Sequence, residues 1–211
     1  VYPAQIFPTE ARHVSYVELE VRDREISQFK VMDAFQSQKP LSARLRMVGS
    51  EEILGFSGNG LVEYATAADP FMVEAEGGSD FEISRVTLTG HPHQVNIPLV
   101  RRDWLYQLQS RKGASALPGR GTILGFIDDS DFEVEMTGYR AQERPQVVYF
   151  DAQGRTLETR HGVAGGGFAI FNAPMGMQTV YIHPIGSRET HAQVVVAEPE
   201  YVHVITWANE R

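Results

Sequence analysis

The chain has 211 residues, 42% of them hydrophobic and 22% charged, which is enough to bury a core and corresponds to one large or two small domains. The formal net charge of −8 at pH 7 argues against nucleic acid as a partner, because phosphate binding needs a clustered basic surface. The chain has no cysteine, which excludes disulfides, thiol catalysis and thiolate metal sites, and no apolar run approaches the roughly 18 residues of a membrane span.

The sequence starts at Val1 rather than Met. This start leads us to expect either an exported protein whose signal peptide has been removed or a trimmed chain. In the first case the protein would be found in the periplasm or outside the cell. We expect residues 1–27 to form an N-terminal extension or a first strand.

Short stretches in which apolar and polar residues alternate follow one another along the first half. They are rich in Val, Ile, Phe and Tyr and are bounded by Gly, Pro, Asp or Asn, a composition typical of β-strands. These predicted strands cover residues 15–21, 43–48, 60–65, 71–77, 84–90 and 93–100.

Two histidines, His91 and His93, flank Pro92 before the last of these strands. Side chains two residues apart in a strand face the same side, and imidazole is a common metal ligand, so the pair is a candidate metal site. The local sequence supplies no third ligand. The alternative, which we favour, is that both histidines are exposed in a turn.

The stretch 101–110 predicts a helix, because Trp104, Leu105 and Leu108 share one face. Gly, Pro and small residues dominate the stretch that follows, up to residue 121, and are typical of a linker. We therefore expect a domain boundary near residue 115. Since clefts often form between domains, Trp104 and Tyr106 are candidate ligand-binding residues.

The second half continues the strand pattern, at residues 122–127, 131–139, 145–151, 167–172, 178–184, 192–198 and 201–207. The predicted fold class is all-β. We expect two tandem Ig-like β-sandwich domains, residues 28–115 and 116–211, joined by the helix and the linker.

An acidic stretch, residues 128–135, enters one of these strands. Asp128, Asp129 and Asp131 are hard oxygen ligands that could hold calcium, although the stretch lacks the glycine and terminal glutamate of an EF-hand loop. The alternative, which we favour, is an acidic turn followed by a strand whose outward side chains are solvated.

Three consecutive glycines, Gly165, Gly166 and Gly167, precede the strand at 167–172. A phosphate-binding glycine loop follows a strand and opens a helix, ideally with Lys-Ser or Lys-Thr, and no such sequence follows Gly167. Glycine before a strand also permits a positive φ or a close backbone approach. We interpret the three glycines as a corner of a β-sandwich.

The motifs FDAQGR (150–155), GGGFAIFNAP (165–174) and PMG (174–176) occur in an order and at intervals similar to those of the carboxypeptidase regulatory-domain-like, or prealbumin-like, β-sandwich family. The second half resembles that family across residues 120–207. The first half resembles it more loosely, through GNGLVEY (58–64) and the following turn. The resemblance implies seven-stranded sandwiches that often serve as accessory domains beside enzymes and surface proteins.

No set of residues forms a coherent catalytic motif, and nothing in the sequence calls for a cofactor. We therefore expect a non-enzymatic exported protein that acts as a binding, adhesion or scaffolding module at the cell envelope. A protein partner is favoured over a glycan. The alternatives are a carbohydrate-binding module, which needs a row of exposed rings, and a metal-dependent hydrolase. The sequence leaves the oligomeric state open.

Overall fold

A computed structural model describes residues 25–49, 53–56, 61–66, 70–89, 93–137 and 145–207. Most of the predicted N-terminal segment, including the strand expected at 15–21, lies outside them. The described residues form one helix, α1 (Arg102–Arg111), and fifteen strands. The strands are β1 (Glu25–Asp33), β2 (Gln36–Pro40), β3 (Arg44–Met47), β4 (Ile53–Phe56), β5 (Leu61–Thr66), β6 (Phe71–Glu76), β7 (Ser84–Leu88), β8 (Gln94–Leu99), β9 (Arg120–Ile127), β10 (Phe132–Thr137), β11 (Gln146–Phe150), β12 (Gly167–Pro174), β13 (Gly176–Pro184), β14 (His191–Ala197) and β15 (Val202–Trp207).

The strands form three sheets. In the four-stranded sheet, β1 is antiparallel to β2 and β5 and parallel to β8. The eight-stranded sheet has the order β11-β12-β9-β15-β7-β6-β3-β4, and the three-stranded sheet has the order β10-β13-β14. The predicted all-β class is confirmed, and the several sheets are consistent with a β-sandwich.

The strands of the second half that enter the eight-stranded sheet bury side chains on both faces. In β12, Ala169 and Phe171 pack into a core that also contains Phe29 of the four-stranded sheet. Phe168 and Ile170 pack into a second core, with side chains of the three-stranded sheet. Because successive side chains of a strand point to opposite faces, this part of the eight-stranded sheet lies between the other two sheets.

The eight-stranded sheet continues through both halves of the chain. It takes β3, β4, β6 and β7 from the first half and β9, β11, β12 and β15 from the second. The two sets meet where β15 runs parallel to β7, with Val202 opposite Ser84 and His203 opposite Arg85. The division into domains near residue 115, between α1 and β9, stays a prediction.

Helix α1 begins one residue later than the predicted stretch and ends at Arg111. Leu105 and Leu108 are buried in the first core, and Trp104 packs against it, as their shared face predicts. The helix has ten residues, and no helix in the described part of the chain reaches the length and apolarity that crossing a membrane requires.

Candidate functional site

The three consecutive glycines form a corner before β12. The N–H of Gly165 donates to the carbonyl oxygen of Ile127, and the N–H of Gly166 donates to that of Val163, at 2.9 and 3.0 Å. A Cβ at Gly166 would overlap the carbonyl oxygen of Phe150. These amides are used inside the protein and the backbone passes too closely for side chains, so the geometry supports the structural interpretation over a phosphate loop.

The two candidate aromatic residues of α1 have different surroundings. The ring of Trp104 contacts Phe35 and Phe150, at centroid distances of 4.6 and 5.2 Å, and its Nε1 donates to the carbonyl oxygen of Gly154. Tyr106 is 70% exposed. The structure therefore places Trp104 against the core and Tyr106 in solvent, and the two do not form a common surface.

The candidate metal ligands that the structure describes form no metal site. His91 falls outside the described residues, and His93 is exposed immediately before β8. Asp128, Asp129 and Asp131 are exposed in the loop between β9 and β10, where Asp131 accepts a hydrogen bond from the N–H of Ala164 at 3.0 Å. Within the described residues, no three His, Asp or Glu side chains gather closely enough to hold a metal ion.

A cluster of charged side chains around a buried carboxylate lies on the eight-stranded sheet, on the face opposite the first core. Glu74 of β6 accepts hydrogen bonds from Arg46 of β3 at 2.5 Å and from Arg85 of β7 at 2.9 Å. Arg85 also pairs with Glu198, and its guanidinium lies 3.4 Å from the ring centroid of Tyr201. We call these five residues, together with His203, the charged seam.

The electrostatics of the charged seam keep its central carboxyl ionised. Burial alone would raise the pKa of Glu74, but the hydrogen bonds from Arg46 and Arg85 outweigh burial and hold the pKa below its usual value. The hydrogen bond between Arg46 and Glu74 also raises the pKa of Arg46. Glu74 thus stays charged inside the protein because two guanidinium groups compensate it.

The charged seam was not among the sites predicted from the sequence. The available signal was a charged residue between small or apolar neighbours within predicted strands, as at Glu74 and Arg85. Alternation shows which side chains share a face of a strand, but it does not show which strands are neighbours. Arg85 and Glu198 are separated by 113 residues, so their contact depends on the fold.

The solvent-facing side of the three-stranded sheet carries exposed apolar and acidic side chains together. Met177 of β13 is 75% exposed and Val194 of β14 is 47% exposed. On β10, Glu133 and Glu135 are exposed on the same side, opposite His183 and Tyr181 in the register of β10 and β13. We call this surface, formed by Glu133, Glu135, Met177, Tyr181, His183 and Val194, the outer face.

The rings of the outer face are arranged in parallel. Tyr181 and His183 have an interplanar angle of 17° and centroids 6.4 Å apart. Nδ1 of His183 lies 3.1 Å from the hydroxyl of Thr190, and Nε2 lies 3.9 Å from a carboxylate oxygen of Glu135. The rings are thus held beside a carboxylate on a solvent-facing sheet, an arrangement suited to a partner that is both apolar and polar.

Comparisons with known proteins assign no family. No family model matches the chain, and no curated protein matches it. Among solved structures, the chain is similar to the crystal structure of a β-glycosidase from Bacteroides vulgatus, with 9% sequence identity and a TM-score of 0.24 over 84% of this chain. The chain spans 25% of the length of that structure, and a similarity at this TM-score carries no argument about activity.

Proposed function

We propose that the protein is a non-enzymatic binding module of the cell envelope, exported to the periplasm or the extracellular space, and that it recognises a protein partner through the outer face. The observation that carries this proposal is the exposure of Met177 and Val194 on adjacent strands of one sheet. Exposed apolar side chains that cluster on one surface and are rimmed by polar residues are typical of interaction sites.

The charge around the outer face favours a basic partner. Glu133 and Glu135 lie on the face itself, and three aspartates lie in the loop just before β10, at 128, 129 and 131. In the turn after β13, the charges of Arg188 and Glu189 cancel. A partner surface that carries Lys or Arg around an apolar centre would complement this pattern, and its association would weaken with salt.

We also propose a domain architecture for the chain. We take residues 116–211 to form a sandwich of the carboxypeptidase regulatory-like type and residues 28–115 to form the tandem partner. The second core supports this assignment, since all its buried side chains belong to the second half. In such an arrangement the first core, which draws on both halves, would serve as the contact between the domains.

A glycan is the second candidate, and the parallel rings of Tyr181 and His183 favour it. Sugar rings stack on aromatic rings, and carboxylates such as Glu135 accept hydrogen bonds from sugar hydroxyls. The two candidates depend on different residues, because a protein partner needs the apolar pair and a glycan needs the rings.

The test uses a double variant, Met177→Glu with Val194→Glu, and Leu117→Glu as a matched control. Leu117 is 53% exposed in the connection before β9 and is not one of the outer-face residues. The probes are proteins extracted from the envelope of the source organism and, separately, its insoluble envelope polysaccharide. Each protein captured by the wild type is identified, purified and titrated against all three forms.

We expect the double variant to bind the purified partner at least about tenfold more weakly, because the loss of a buried apolar anchor costs more than about 1 kcal/mol. Leu117→Glu should bind like the wild type. Equal affinity in all three forms would contradict the proposal.

Two other outcomes would change the proposed function. If the protein binds the polysaccharide and Tyr181→Ala abolishes this binding, the ligand is a glycan. Localisation of the native protein to the cytoplasm would contradict the cell-envelope assignment.

A further inference from the structure

The charged seam lies on a single row of residues across the eight-stranded sheet. The strand registers place Arg46, Glu74, Arg85 and His203 side by side on β3, β6, β7 and β15. The row continues beyond β15 as Ile123 of β9, which belongs to the second core. The row therefore changes from charged to apolar at His203, where the two halves of the chain meet.

The contact between the halves is narrow at this point. β15 pairs with β9 over six residues but with β7 over two, at Val202 and His203. Arg85 of the first half reinforces the short pairing by its ion pair with Glu198 and its stacking on Tyr201, both of the second half. The side chains of the charged seam thus hold the two sets of strands together where backbone pairing is short.

His203 lies within this contact and is 2% exposed. Its Nε2 lies 3.4 Å from the hydroxyl of Thr87, and Nδ1 has no hydrogen-bond partner among the described residues. The charged groups of the seam are two guanidinium groups and two carboxylates, and Tyr201 adds a neutral phenol. The cluster is therefore balanced while the imidazole is neutral, and a proton on the ring would leave one buried positive charge uncompensated.

We propose that the charged seam is an acid-sensitive junction: protonation of His203 loosens β15 from β7 and opens the contact between the two halves. The opened form exposes Arg85 and Glu74 to water, where both are well solvated. The junction closes again when the imidazole loses its proton, so the change is reversible. The occupant of the outer face plays no part in this inference, which stands independently of the proposed function.

The direction of the pH effect follows from the environment of His203. The pKa of the ring is lowered to about 4, chiefly by burial and further by the charge of Arg85, while the backbone of Val196 partly opposes the shift. A solvated histidine titrates near 6.5, so the open form binds a proton at a pH where the closed form does not. The junction is fully stable above about pH 6.5 and loses stability as the pH falls towards 4.

The experiment is amide hydrogen exchange of the full chain at pH 7 and at about pH 4.5, corrected for the intrinsic rate at each pH. Peptides that cover 84–88 and 198–205 report on the junction, and peptides from β12 report on the sandwiched core. For the wild type, we expect the opening equilibrium of the junction to rise about 50-fold between the two pH values. The β12 peptides should keep their protection.

The variant is His203→Gln, which keeps a polar side chain but cannot take up a proton. The control is His183→Gln, at a half-buried histidine of the outer face. We expect the junction of His203→Gln to open less than about threefold over the same range, and that of His183→Gln to respond like the wild type. Acid sensitivity that persists in His203→Gln would overturn the proposal. Equal loss of protection in β12 of the wild type would also overturn it, because the acid response would then be global unfolding.

A measurement on the wild type alone keeps the proposal testable if His203→Gln does not fold. The imidazole resonances of the seven histidines can be followed by NMR between pH 7 and about pH 3.5, with His203 assigned through its backbone connections. We expect the His203 ring to titrate near pH 4. A His203 ring that titrates near 6.5 would overturn the proposal.

Discussion

The indole Nε1 of Trp104 donates a hydrogen bond of 2.8 Å to the carbonyl oxygen of Gly154. Gly154 closes the turn after β11, in which the carboxylate of Asp151 accepts hydrogen bonds from the N–H groups of Gln153 and Arg155. The bond therefore ties α1 to the loop that leads towards β12. The turn in the FDAQGR motif (150–155) is thus held by a hydrogen bond from Trp104 of the helix.

Gly154→Ala should destabilise the protein by about 3 kcal/mol, and the matched Gly113→Ala by about 1 kcal/mol. Both glycines have a left-handed φ, +75° and +65°, so both variants acquire backbone strain. A Cβ at Gly154 would also lie 2.7 Å from Nε1 of Trp104 and 2.9 Å from the ring of Phe35, whereas nothing lies within 4 Å at Gly113. Urea unfolding measures both losses, and equal losses would contradict the role of Trp104.

The three glycines of the corner should respond differently to alanine. Gly165→Ala should cost about 1 kcal/mol, because φ is +74° and its Cβ would find only ordinary contact with Ala152. Gly166→Ala and Gly167→Ala should each cost more than about 3 kcal/mol, because their Cβ atoms would overlap the carbonyl oxygens of Phe150 and Gly125. Thermal unfolding ranks the three variants.

A phosphate-binding role for the corner would give another outcome. In that case calorimetry would detect binding of ATP or inorganic phosphate to the wild type, and Gly165→Ala would weaken it while the fold stayed intact. We expect no heat of binding with either compound, since the N–H groups of Gly165 and Gly166 already donate to backbone carbonyl oxygens.

Arg85→Met should destabilise the protein by about 3–5 kcal/mol. The substitution removes the buried guanidinium that pairs with the buried carboxylate of Glu74, and it also removes the ion pair with Glu198. Arg46→Met should cost less than about 1 kcal/mol, because the side chain of Arg46 is 40% exposed and Glu74 keeps Arg85. Urea unfolding at pH 7 measures both. Similar losses for the two variants would show that Glu74 depends equally on both arginines.

The double variant Arg85→Met with Glu74→Met separates the buried charge from the packing. Replacing both partners removes the uncompensated carboxylate, so the double variant should be more stable than Arg85→Met alone.

The pH dependence of the free energy of unfolding provides a second check on the charge of Glu74. Since the folded protein lowers the pKa of Glu74, its contribution to stability is present above the pKa of the unfolded chain and is lost as the pH falls.

Much of the secondary structure could be predicted because it depends on local patterns. The stretch at 167–172 consists mostly of apolar residues, which a strand directs alternately to its two faces. In β12, Phe168 and Ile170 lie on one face, and Ala169 and Phe171 lie on the other. The regular alternation is interrupted at Asn172, since its φ is +60° and the register shifts between Ile170 and Ala173. There the side-chain amide bonds to the backbone of residues 115 and 117, in the connection before β9.

The neighbours of the strands could not be predicted from the same patterns. The sequence gives no indication that β15 lies between β9 and β7, or that β1 is parallel to β8, because a periodicity of two residues defines faces and leaves pairing open. The charged seam and the outer face both arise from such pairings. His203 illustrates the difference, since it reads as one more polar residue in a strand until its register partner is known to be Arg85.

The position of β15 also has a consequence for the way the protein is synthesised. β15 is the last of the described strands in chain order, yet it lies in the middle of the eight-stranded sheet. The edges of β7 and β9 that it joins are therefore unpaired on the nascent chain until residues 202–207 have left the ribosome. Such late, distant pairing favours slow folding and exposes two strand edges to association with other chains in the meantime. A ribosome stalled before residue 202 would hold the protein in that unfinished form.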